Sequence, residues 1–147
     1  MDKKFTAYCG LCCLDCIPSN VEFFSLIQWL ERMLEELQFD EYAKLKSKKQ
    51  TIFGEYPTFA KILREISNLH CAFPCREGGG KPNCEVRQCV QTRGYEGCWE
   101  CNQRPACELL EPLRQIHPNL DRHLDLILEL GPEKWFEKRG AHYKWQP

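Results

Sequence analysis

The stretch SNVEFFSLIQWLERMLEELQ, residues 19–38, decides the fold class. Its apolar residues recur at Phe23, Leu26, Ile27, Leu30, Met33, Leu34 and Leu37, the three-and-four spacing of one buried helical stripe. Ser19 or Asn20 is placed to cap the start, with Glu22 at capping-box distance from Ser19. Phe24 and Trp29 are read as core or interface packing.

The same period recurs further along the chain. Residues 40–49 read as a short polar helix beginning near Asp40, and Pro57 suits the first turn of PTFAKILREISNL, which aligns Phe59, Ile62, Leu63 and Ile66. After Pro105, Leu109, Leu110, Leu113 and Ile116 share one side. Leu120, Leu124, Ile127 and Leu128 then align up to a stop at Gly131, and Pro132 opens a last short helix through EKWFEKR. Repeated strand patterns are missing. The expectation is one domain, 1–147, mainly α, with helices over 19–67 and 105–139 packed around a cysteine-rich irregular insert. The irregular parts are 8–18 and 70–107. A stretch as long as 70–107 without a core pattern needs something else to hold it, and metal coordination supplies folding free energy directly.

Eleven cysteines in 147 residues are the compositional outlier. A disulfide framework calls for a secretory context and an even count. Here the count is odd, no apolar segment follows the lysines of MDKKFTAYCGLCC, and no stretch approaches the ~18 apolar residues of a membrane span. A cytoplasmic protein with thiols serving as metal ligands or reactive groups is therefore expected, disulfides being the remaining alternative. The net charge of −1 lacks the basic footprint of a nucleic-acid binder, and the run AKLKSKKQ, residues 43–50, reads as a solvated helix face.

The spacings are Cys9-x2-Cys12, Cys13-x2-Cys16, Cys71-x3-Cys75, Cys84-x4-Cys89 and Cys98-x2-Cys101, with Cys107 six residues on. A CxxC turn brings two sulfurs to one zinc ion at about 2.3 Å each, half of a tetrahedron. Cys84, Cys89, Cys98 and Cys101, near in sequence and paired in spacing, form the first candidate site. Cys9, Cys13 and Cys16 form a second with Cys107, or with Cys71 and Cys75. Cys12 and Cys13 are adjacent and do not ligate one tetrahedral ion without distortion, so one of them is the spare that makes the count odd. The alternative cofactor is an iron–sulfur cluster. Cys9-x3-Cys13-x2-Cys16 has the radical SAM spacing, but this length and helical pattern do not supply that class's partial barrel.

Other chemistry is not legible. GGGKP, residues 78–82, lacks the remaining elements of a phosphate loop, and neither HExxH nor GxSxG occurs. His70 adjoins Cys71, whereas His117, His123 and His142 read as surface residues or helix-end partners. Cys98-Trp-Glu-Cys101 lacks the strand–helix context of a thioredoxin-like pair. The carboxylates suggest no acid–base pair, so no reaction is nominated.

Over almost its whole length the chain resembles a family of small cysteine-rich prokaryotic proteins, domain of unknown function 3795. The resemblance rests on YCGLxC..C (Tyr8, Cys9, Gly10, Leu11, Cys13, Cys16), C..R.C (Cys84, Arg87, Cys89) and GCxxCxxxPxCExL (Gly97, Cys98, Cys101, Cys107, Glu108, Leu110). The tail G.E.W, at Gly131, Glu133 and Trp135, is also similar. Three departures stand out: Cys12 falls where the family commonly has another residue, Cys71 and Cys75 are more widely spaced than usual, and Pro105 lies two residues before Cys107 rather than one. The resemblance implies a cysteine-rich, zinc-binding domain and no reaction, with Cys12 as the extra thiol. The functional expectation is a zinc-organised binding or adaptor module with a protein partner. The rival is an iron–sulfur or thiol-based redox or metal-sensing protein.

Overall fold

The computed structural model describes residues 2–146. Among the described residues there are six α-helices: α1 (Val21–Glu36), α2 (Phe39–Ser47), α3 (Tyr56–Ser67), α4 (Glu85–Thr92), α5 (Glu111–Arg114) and α6 (Leu120–Leu130). Among the described residues the only β-type pairing is an isolated antiparallel bridge, Thr6 with Cys12. The fold is mainly helical. Backbone packing divides the chain into two compact units, Asn20–His70 and the remainder.

In the Asn20–His70 unit the expected helices form. The Asn20 side chain accepts the Phe23 N–H at 2.8 Å and caps α1, so the Ser19 capping box is not used. Pro57 lies in the first turn of α3. Gln38, with φ 47, turns the chain from α1 into α2. The expected buried stripe on α1 is corrected. Phe24 is the helix's buried residue, stacked on the His70 ring at a centroid distance of 4.8 Å, whereas Leu26 and Leu37 are 60% and 64% exposed. The apolar arc of α1 is wider than the surface that α2 and α3 cover.

The other unit, residues 2–19 with 71–146, contains the main core: Cys12, Val86, Val90, Cys98, Trp99, Leu110, Leu120, Leu124, Ile127 and Trp135. α6 forms as expected and buries Leu120, His123, Leu124 and Ile127 on one face. Gly10 sits at φ 86, where a Cβ would meet Leu124 Cδ2 at 2.6 Å, so the tight turn after Tyr8 requires glycine. Two expectations change. The 70–107 segment includes a helix, α4, whose apolar signal consists of Val86 and Val90 alone. Between Pro105 and Pro118 the chain supplies only the single turn α5, because the 3-10 turn Arg104–Ala106 and Pro112, in the first turn of α5, replace a longer helix. The EKWFEKR segment contains a 3-10 turn, Trp135–Lys138.

His117, His123 and His142 are buried, not on the surface. The His117 and His142 rings lie 4.6 Å apart, His123 packs on Trp135 at 4.9 Å, and His117 Nδ1 donates to the His142 carbonyl at 2.6 Å. The ring nitrogens of His123 and His142 have no hydrogen-bond partner among the described residues. Burial penalises the imidazolium and holds both rings down to about 4, against an ordinary 6.5. The unfolded chain takes up these protons near pH 6.5 and the folded chain only near 4. The stability held by the neutral rings is therefore complete above about 6.5 and lost as pH falls towards 4, on the order of a few kcal/mol per ring. The urea midpoint should drop between pH 7 and pH 5, and His123→Leu should shrink that drop.

Candidate metal centre

Four of the candidate sulfurs line one small cavity. It has a volume of about 20 Å³ and is walled by Cys89, Cys98, Cys101 and Cys107, with Val86, Val90, Leu109 and Leu110 among its apolar neighbours. A space of roughly 10–15 Å³ holds one water molecule, so this cavity has the scale of a single ion. Among the described residues no three His, Cys, Asp or Glu side chains form a ready-made metal cage. The four cysteines surround the cavity without that convergence.

Each wall has a local cause. Cys89 lies on α4 between Val86 and Val90, whose burial turns this face of the helix inward. Cys98 opens a 3-10 turn, Cys98–Glu100, and Cys101 closes it by donating its N–H to the Cys98 carbonyl at 3.1 Å. Gly97 leaves room for Trp99, since a Cβ there would lie 2.1 Å from the indole. Cys107 closes a second such turn, Arg104–Ala106, with its N–H on the Arg104 carbonyl at 3.2 Å. Arg114 secures that arm. It forms a bidentate pair with Asp121 at 2.9 and 3.0 Å and donates to the carbonyls of Arg104 (2.6 Å) and Cys107 (3.3 Å). Arg104 itself pairs with Asp125 of α6.

Electrostatics reflect the crowding of sulfur. Burial pushes the Cys98 thiol up to about 12, and the neighbouring sulfurs of Cys107, Cys89, Cys101 and Cys84 add to the effect. Two cations face the cavity. Arg93 Nη1 lies 4.0 Å from Cys101 Sγ, and Arg104 Nη1 is buried without a hydrogen-bond partner among the described residues.

The remaining candidates are arranged around the N-terminal stretch. Cys13 and Cys16 bracket a 3-10 turn, Cys13–Asp15, in the same way as Cys98 and Cys101, with Cys16 N–H on the Cys13 carbonyl at 3.2 Å. Burial raises the Cys13 thiol to about 11, with Cys75, Cys12 and Cys16 as sulfur neighbours that raise it further. Burial also raises Cys16, which neighbours Cys71 and receives the Tyr143 hydroxyl at 3.5 Å. Cys71 Sγ accepts the Gly80 N–H at 3.1 Å. Cys13, Cys16, Cys71 and Cys75 thus form a second neighbourhood. Burial raises Cys9, whose sulfur neighbours are Cys75, Cys98 and Cys84. Cys84 is the residue before α4 and does not line the cavity. Cys12 is fully buried in the apolar core.

Sequence patterns did not single out Arg76. Its Nε donates to the Thr6 carbonyl at 2.7 Å and its Nη2 to the Glu96 carbonyl at 2.9 Å, while its guanidinium lies 4.5 Å from the Tyr8 ring and 5.5 Å from the Trp99 ring. Arg87 gathers the carbonyls of Gly79 (2.8 Å), Lys81 (2.8 Å), Pro82 (2.9 Å) and, at 3.4 Å, Cys75. One rigid fork thereby closes the GGGKP loop beside Cys75.

A family model described as protein of unknown function (DUF3795) matches residues 5–112, and the chain belongs to that family. The matched span includes all eleven cysteines and ends before His117, His123, Trp135 and His142. Comparison with curated proteins and with solved structures gave no match. Arg87→Lys keeps the charge but not the planar fork. It should lower stability by about 1–3 kcal/mol and raise amide hydrogen exchange over residues 76–83, read by mass spectrometry.

Proposed function

We propose that this DUF3795 chain is a zinc-organised binding module, its ion held by Cys89, Cys98, Cys101 and Cys107. The observation that carries the reading is the ion-sized, four-cysteine cavity with an unpartnered guanidinium N–H in its wall. Four thiolates and a dication sum to about −2, which Arg93, 4.0 Å from Cys101 Sγ, opposes in part. When bound, zinc would cross-link α4, the Cys98–Cys101 turn and the Cys107 arm, with a binding free energy on the order of 10 kcal/mol that counts towards folding. Loops with few apolar residues of their own gain the most from such a link.

Cys13, Cys16, Cys71 and Cys75 are the donors for a second ion, and Cys9 and Cys84 are the reserve ligands of either group. The cavity volume favours one ion over an iron–sulfur cluster, which has to accommodate several metal and sulfide atoms. Such thiolates persist in a reducing compartment, which supports a cytoplasmic setting. No helix among the described residues is long and apolar enough to cross a membrane.

Protein purified without added metal should contain at least about one equivalent of zinc, and chelation should lower its melting temperature. Cys98→Ser and Cys107→Ser should each remove about one equivalent, whereas Cys12→Ala should keep the full content. Less than about half an equivalent, with no loss of fold on chelation, rejects the reading. A brown anaerobic sample absorbing near 400 nm would turn it to the iron–sulfur alternative.

A further inference from the structure

We propose that the Asn20–His70 unit is a docking site for an amphipathic helical peptide that carries lysine or arginine beside its apolar face. The proposal gives a partner chemistry to the binding role above and rests on that role, not on the metal.

Two adjoining grooves define the site. One, of about 530 Å³, is lined almost entirely by apolar side chains, including Leu30, Leu34, Phe39, Ile52, Phe53 and Phe59. The other, of about 500 Å³, shares Leu34 and Tyr56 with the first and adds Glu31, Glu35, Asp40 and Arg64. Ile52 is 73% exposed and Phe59 46%, so the apolar wall is open. Of the seventeen large hydrophobic residues exposed among the described residues, eleven belong to this unit. Of these, Ile52 and Phe59 line the groove.

Charge selects the occupant. Glu31 and Glu35 stand one turn apart on α1, and neither forms an ion pair among the described residues, although Asp40 has Lys44 at 3.6 Å. The carboxylates of Glu31 and Glu35, unpaired among the described residues, suit a cation on the incoming chain. An apolar slot beside an acidic one matches a helix with anchors at i, i+3, i+4 and i+7 and basic residues on the flanking turn. The same acidic wall repels an anionic lipid surface.

The test uses the full chain as purified, its metal content measured on the same sample. The probe is a fluorescein-labelled peptide of about 15 residues with leucines at helix-anchor spacing and lysines on one flank. Its control replaces each lysine with glutamate. Fluorescence anisotropy should show saturable binding of the lysine peptide and about tenfold weaker binding of the glutamate peptide. Ile52→Ser and Phe59→Ser should each weaken binding about tenfold with unchanged circular dichroism. The double variant Glu31→Gln, Glu35→Gln should weaken the lysine peptide alone. Absence of binding, equal binding of the two peptides, or indifference to Ile52→Ser and Phe59→Ser overturns the proposal. Dimerisation abolished by Phe59→Ser would assign the face to a second copy. Co-sedimentation with phosphatidylserine vesicles abolished by Ile52→Ser would assign it to lipid, and either result also overturns the proposal. Zinc without peptide binding rejects this inference alone; peptide binding without zinc rejects only the metal reading.

Discussion

Thr6 is the residue on which the cysteine-bearing unit is hung. It is fully buried, and each of its polar groups is used. Its N–H donates to the Lys3 carbonyl at 2.9 Å, and its carbonyl accepts from Arg76 at 2.7 Å. Its hydroxyl donates to the Pro132 carbonyl at 2.7 Å and accepts the Trp135 indole N–H at 2.8 Å. One residue thereby joins the N-terminus, the insert and the C-terminal segment. A buried polar group left without a partner costs about 1–3 kcal/mol, so this junction tolerates little slippage. The Cys98 N–H on the Tyr8 carbonyl at 2.8 Å and the Cys71 N–H on the Pro18 carbonyl at 2.8 Å continue the same seam. The stretch YCGLCCLDC is therefore first an edge against which the insert is laid. Its sulfurs come near Cys71, Cys75, Cys84 and Cys98 as a consequence.

The insert contains a large share of loop for the apolar material available, and arginine compensates. Arg76, Arg87 and Arg114 together satisfy backbone carbonyls at Thr6, Glu96, Cys75, Gly79, Lys81, Pro82, Cys107 and Arg104. Irregular backbone has no ladder of its own, and a planar five-donor fork substitutes for one. Arg139 does similar work for the tail, pairing with Asp15 and donating to the Phe136 carbonyl at 2.6 Å. Fork-held loops keep cysteines near one another. Shared sulfur burial then raises the thiols, and a bound cation would relieve that unfavourable state by stabilising the thiolates.

What could be read from the sequence divides along the same line. Helices α1, α3 and α6 were legible because a long apolar period acts locally, helped by the Asn20 cap of α1 and by Pro57 in the first turn of α3. α4 was not, since Val86 and Val90 are too few to show a period and Cys89 reads as a ligand before it reads as helix. The CxxC turns were legible as pairs, but the fourth wall of the cavity depends on Arg114 holding the Cys107 arm to α6, a contact between distant residues. Thr6 and Arg76 carried no signal, because their roles exist only once remote carbonyls arrive. The buried histidines were misread for a related reason: in His123 the ring completes an otherwise apolar face made by Leu120, Leu124 and Ile127.

The Asn20–His70 unit presents the opposite problem. Its helices satisfy their own backbone, and its fully buried interior is limited to Phe24, Ala43 and Leu63. Full burial of a large apolar side chain is worth about 1.5–3 kcal/mol, so two such residues and an alanine leave a segment of about 50 residues only marginally stable. Anything that occupies its apolar groove would stabilise it by mass action, in proportion to how far its concentration exceeds its dissociation constant. Binding and folding are therefore linked there as metal binding and folding would be linked in the cysteine-bearing unit. In both, the proposed ligand would complete a surface the chain alone leaves open: a thiophilic cation in one case, a basic apolar helix in the other.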